Sequence, residues 1–169
     1  MKTNRLTQLA LLTAIALIIS LIEAQFPLAV PIPGIKLGLA NIVTVYAMFI
    51  FGPKSTFIVL LARILLAGIF SGRMLSFSYS FVGGLCCFAT MLLLRKLFSQ
   101  NQIWICSILG ALSHVIGQVA LAIIVTGTYE IIGYLPILML SAIVTGCATG
   151  VVAQTFVRRM PIQTKENNH

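Results

Sequence analysis

The stretch IWICSILGALSHVIGQVALAIIVT, residues 103–126, decides the fold. It holds no Asp, Glu, Lys or Arg, over more than the roughly 20 residues an α-helix needs to cross a bilayer. Five further apolar runs surround it. Working outward, we mark spans at Leu6–Ile22, Leu37–Phe51, Ser55–Ser71, Met74–Leu94, Ile103–Thr126 and Ile131–Val157, the last with its helix starting near Pro136. The second is short, and Arg63 interrupts the third. Between them Gly52-Pro53-Lys54 reads as a helix stop and restart. Hydrophobic residues make up 59% of the chain and charged residues 8%, against about a quarter charged in soluble domains. The expected fold class is all-α: a six-helix transmembrane bundle in a multi-pass membrane protein. Residues 1–160 form one domain, and 161–169 read as a disordered cytoplasmic tail.

The net charge of +8 gives no evidence for nucleic acid, because the basic residues flank the apolar runs. With the N-terminus inside, the cytoplasmic side takes Lys2, Arg5, Lys54, Arg95, Lys96, Arg158, Arg159 and Lys165. The outer side takes only Lys36 and Arg73. The positive-inside rule then puts both termini in the cytoplasm. Lys2 and Arg5 before an apolar run resemble a signal peptide. The run is long, and Ile22-Glu23-Ala24-Gln25 is a poor cleavage site, so it reads as a retained first helix. The outer segment Ala24–Lys36, with Pro27, Pro31, Pro33 and Gly34, cannot form a regular helix. It is either a cap over a cavity or a plain interfacial connector.

Several chemistries are excluded. The chain has no Asp, and its acids are Glu23, Glu130 and Glu166. It cannot build the carboxylate cluster that holds magnesium on a diphosphate. It has no phosphate-binding Gly-x-x-x-x-Gly-Lys-Ser/Thr loop. Cys86, Cys87, Cys106 and Cys147 lie inside apolar runs without metal-site spacing, and they read as small buried apolar residues. No catalytic residue, metal or cofactor is expected, and an enzyme acting alone is not.

The informative residues are those that are costly in lipid. Arg63 lies mid-span, where an arginine costs about 2.5–3.5 kcal/mol on insertion scales. His114 lies mid-span too, with Gln118 one turn outward on the same face. Asn41 is about one turn into the second span, and Ser76, Ser78, Tyr79 and Ser80 line the outer end of the fourth. Inner halves carry mainly Thr and Cys. This asymmetry predicts a pocket open to the outside for a small polar or anionic ligand, lined by Asn41, Arg63, His114 and Gln118, with Lys36 and Arg73 near its mouth. Plainer roles stand beside this one. A lone His114 is more often a helix–helix hydrogen bonder than a ligand contact; Lys36 and Arg73 would serve as residues snorkelling to head groups, and the serines as donors to their own helix. Glu23 is placed about two turns from Arg63, roughly 11 Å, which disfavours a direct pair. The pairs Ala10/Ala14, Gly68/Gly72 and Gly146/Gly150 each put two small residues on one helix face, as close helix contacts need.

The run Pro31-Ile32-Pro33-Gly34-Ile35-Lys36-Leu37-Gly38-Leu39-Ala40-Asn41-Ile42-Val43, followed by Gly52-Pro53 and Arg63, resembles the small bacterial membrane family of Gx transporter proteins. That family is also labelled heptaprenyl diphosphate synthase component I. The resemblance covers Arg5 to about Arg159. The family in turn resembles the S components of energy-coupling factor transporters, which have six helices, cytoplasmic termini and an outward-facing pocket closed by the first outer loop. By that resemblance Ala24–Lys36 is the gating loop. Ala10 and Ala14 form the face that docks on a transmembrane coupling subunit served by ATPases. The implied function is substrate capture for an uptake transporter. The alternative is a noncatalytic membrane component beside a prenyl diphosphate synthase, since synthases of that kind use aspartate-rich motifs absent here. The expected partners are the lipid bilayer, a small-molecule ligand, and one of these two protein assemblies.

Overall fold

The computed structural model describes residues 2–25, 35–98 and 100–159, with the side chains of Lys2 and Gln100 outside the description. The predicted tail at 161–169 and most of the proline-rich outer segment therefore lie outside the described residues. Those described form α1 (Lys2–Glu23), α2 (Asn41–Ile50), α3 (Pro53–Ser71), α4 (Met74–Leu94), α5 (Ile103–Thr126) and α6 (Leu135–Arg159). Short 3-10 turns at Gln100–Gln102 and Tyr129–Tyr134 precede α5 and α6. The fourth and fifth spans match the sequence reading at both ends. The sixth helix starts one residue before Pro136.

The chain is a polytopic helical membrane protein. Five of its helices are long and apolar enough to cross a bilayer. Large apolar side chains point away from the bundle, among them Ile69, Leu93, Ile124 and Leu140. Water would penalise such a surface; lipid does not. The helix ends follow local chemistry. Gly52 at φ 81° breaks the chain ahead of Pro53, which starts α3 where its missing N–H costs nothing. Gly72 and Gly127, at φ 62° and 67°, close α3 and α5. On the predicted cytoplasmic side Arg5 donates to the Phe51 carbonyl at 3.1 Å and to Ser55 Oγ at 2.9 Å, tying the start of α1 to the α2–α3 turn.

Two expectations need correction. The second span, read as Leu37–Phe51, is helical only over Asn41–Ile50. Ten residues rise about 15 Å, half of a hydrocarbon core of about 30 Å. Gly38 at φ 83° stops the helix from extending outward. Non-helical backbone at membrane depth survives only where protein covers it, and Ile35, Gly38 and Ala40 are buried. The second correction concerns Gly68/Gly72, which is not a helix-contact face. Gly72 caps α3, and a Cβ there would meet nothing, while Gly68 makes room for Phe77. Gly146/Gly150 is such a face: Cβ atoms there would fall 2.9 Å from the Ile108 Cα and 2.6 Å from the Trp104 Cα. These glycines let α6 lie directly on the backbone of α5.

The core has three parts. Tyr79, Val115, Val119 and Leu138 belong to one that joins α4, α5 and α6. Val45, Met48, Cys87, Met91, Cys106 and Ala153 draw α2 against the same three helices. Ala16, Val43 and Val59 join α1, α2 and α3. The basic residues fix the expected direction of the bundle. Reporter fusions after His169 and in the loop at Glu130 should report opposite compartments. A shared compartment would sink the even-crossing topology.

Candidate binding site

α1, α2, α3 and α5 each turn polar side chains toward one buried place, and α4 supplies glycine there. Arg63 on α3 is 5% exposed. Its Nη1 donates to Ser20 Oγ of α1 at 3.3 Å, while Nε and Nη2 have no hydrogen-bond partner among the described residues. Asn41 opens α2, 3% exposed, with neither amide atom bonded. Gly83 and Gly84 of α4 stand between Arg63 and His114. A Cβ on Gly84 would reach to 3.9 Å from Arg63 Nη2, and one on Gly83 would lie 2.9 Å from the His114 carbonyl oxygen. The glycine pair thus leaves room for Ile64 and Leu60 of α3 on one side and for α5 on the other.

His114 and Gln118 stack one turn apart on α5 and form a relay whose direction is fixed. The Lys36 main-chain N–H donates to Gln118 Oε1 at 3.3 Å, so that oxygen is the acceptor end of the amide. Gln118 Nε2 can then only donate, and it meets His114 Nε2 at 2.9 Å. His114 Nε2 is therefore the acceptor, and the ring proton of the neutral imidazole sits on Nδ1. The Gly83 carbonyl faces this ring as an acceptor, although among the described residues no atom meets Nδ1 with full hydrogen-bond geometry.

Glu23, at the end of α1, completes the cluster. Its Oε1 accepts the Gly38 N–H in a short hydrogen bond. Gly38 itself fits tightly, since a Cβ there would come 2.8 Å from Asn41 Nδ2. Lys36 is half buried in the connector; burial lowers its amine from the ordinary lysine value, and the Glu23 carboxylate opposes that shift.

Among the predicted residues, Lys36, Asn41, Arg63, His114 and Gln118 come together. Arg73 does not join them: it is exposed at the N-cap of α4, and its charge reaches the group through Lys36. Ala10 and Ala14 are exposed on α1, away from the cluster. Ser78 bonds back to the Met74 carbonyl of its own helix. Two members were missed. Arg63 reaches Ser20, three residues before Glu23 and a rise of about 4.5 Å from it along α1. Glu23 and Arg63 interact electrostatically, without a hydrogen bond between them at Nε or Nη2. The available signal was the i, i+3 spacing of Ser20 and Glu23 on one face of α1.

The expected outward-open pocket is closed in this structure, where Gln118 is 0% exposed. Residues 35–40 are pinned across the cluster by Glu23 at Gly38 and by Gln118 at Lys36. Among the described residues no group of three or more His, Cys, Asp or Glu is placed to hold a metal ion.

The family model for heptaprenyl diphosphate synthase component I matches residues 12–156. The chain belongs to that family. The match takes in every member of the buried cluster and Ala14, and it begins just after Ala10. No curated protein and no solved structure matches the chain.

Proposed function

We propose that this member of the heptaprenyl diphosphate synthase component I family is a ligand-binding membrane subunit of an uptake system, and is not itself an enzyme. It takes a small polar or anionic molecule from the outer side and relies on separate proteins for energy, in the manner of an energy-coupling factor S component. One observation carries this reading. Arg63 Nε and Nη2 and both amide atoms of Asn41 are buried and have no hydrogen-bond partner among the described residues, and His114 Nδ1 has only the imperfectly placed Gly83 carbonyl. Each such group costs about 1–3 kcal/mol, and more if charged. A fold with no use for them would replace them with apolar residues. A ligand that accepts from them repays the cost.

The family's name supports a second reading, in which the chain is a noncatalytic membrane component beside a prenyl diphosphate synthase. Purification of the tagged chain from native membranes in mild detergent separates the two. The first reading expects a membrane coupling protein, ATPases and a retained small molecule to elute with it. Elution with a prenyl diphosphate synthase and no retained molecule would replace the first reading with the second.

A further inference from the structure

The geometry of the cluster points to the class of ligand, an inference that rests on the binding role proposed above. We infer that the buried site holds a single carboxylate of a monoanionic molecule.

The first argument is the shape of the donor set. Arg63 spends Nη1 on Ser20. Nε and Nη2, which lie along one edge of the guanidinium plane, are free. Two parallel N–H groups on one edge match two oxygens of a carboxylate or of a phosphate, and charge balance separates a monocarboxylate from a multiply charged phosphate. The α2 N-terminus does not compete for the anion. Its first N–H groups, at Asn41, Ile42 and Val43, are already taken by the carbonyls of Gly38, Leu39 and Ala40. The remaining groups are neutral: the Asn41 amide, which both donates and accepts, and the His114 Nδ1–H, a donor by the relay through Gln118 that faces the Gly83 carbonyl without full hydrogen-bond geometry. They suit uncharged polar atoms elsewhere on the ligand.

The second argument is charge balance. Arg63 and Lys36 bring two positive charges, and Glu23, counted as the carboxylate that accepts the Gly38 N–H and faces both cations, brings one negative. The sum is +1. Arg73 is exposed and solvated. A buried charge needs a partner, and one negative charge on the ligand neutralises the site. A dicarboxylate or a diphosphate would overshoot and leave unpaired negative charge at membrane depth.

The carboxylate can come from water or from lipid, and the test separates the sources. The full chain, purified in neutral detergent, is heated with monocarboxylates from acetate to octanoate, with palmitate, with succinate and with pyrophosphate, all at equal ionic strength. At least one monocarboxylate should raise the melting temperature more than succinate or pyrophosphate does. Palmitate as the strongest would assign the carboxylate to lipid, and a short chain to solute. Arg63→Lys should weaken the best monocarboxylate about tenfold, because a point charge replaces a fork. Glu23→Gln raises the sum to +2 while keeping an acceptor for Gly38, so the preference should move toward succinate. Pyrophosphate or succinate as the strongest on the wild-type chain would overturn the monoanion inference and leave the binding role standing. An unchanged order in Glu23→Gln would overturn the charge count. No stabilisation by any anion, with no molecule retained from native membranes, would overturn the binding role as well.

Discussion

Arg63→Ala should insert and fold normally but lose affinity for the retained molecule by about 30-fold or more. Truncating one partner of a buried, hydrogen-bonded charge pair costs about 2–5 kcal/mol, which sets that scale. The ligand-free protein should melt close to wild type, because the substitution removes one 3.3 Å bond to Ser20 and also removes a buried charge with two unsatisfied donors. That separation of affinity from stability distinguishes a ligand-binding arginine from a structural one. A structural arginine would show the reverse: a large fall in melting temperature with the affinity of the surviving fraction unchanged. Binding titrations and melting curves on the same preparation decide between them.

The second large effect is expected on the far side of α1. Ala10 and Ala14 are exposed at i, i+4 on a helix whose buried face, at Ala16 and Ser20, is turned inward. Small side chains let another helix approach its backbone closely. Ala10→Leu combined with Ala14→Leu should therefore abolish copurification of a coupling subunit. Membrane insertion and ligand binding should persist, since neither residue touches the cluster. Unchanged copurification would assign this face to lipid.

Much of this organisation was legible in the sequence. The limits of α4 and α5 could be read to the residue because their apolar runs end where Gly72-Arg73 and Gly127 also break the helix. Those of α2 could not. Residues 37–40 are apolar enough to extend it, but Gly38 at positive φ and the Glu23 bond to its N–H hold them out of the helix. Hydropathy does not register a tertiary bond made from another helix. The same holds for the site. Asn41, Arg63, His114 and Gln118 stood out because each is costly in lipid. Ser20 did not, because a serine at membrane depth is cheap, and Glu23 was set aside on a straight-helix estimate of depth. The arginine side chain reaches α1 at Ser20, one turn short of Glu23, and meets Glu23 through charge alone. The relay from Lys36 through Gln118 to His114 joins residues 82 positions apart at its first step, a pairing no local pattern contains.

The central claim is that the buried cluster is a ligand site rather than a set of costly structural groups. An experimental map of the chain purified with its retained molecule tests it directly. The account predicts density for a small molecule within hydrogen-bond distance of Arg63 Nε and Nη2 and of His114 Nδ1, beneath the connector at residues 35–40. A map in which protein groups or waters satisfy those atoms and the retained molecule lies elsewhere would contradict it.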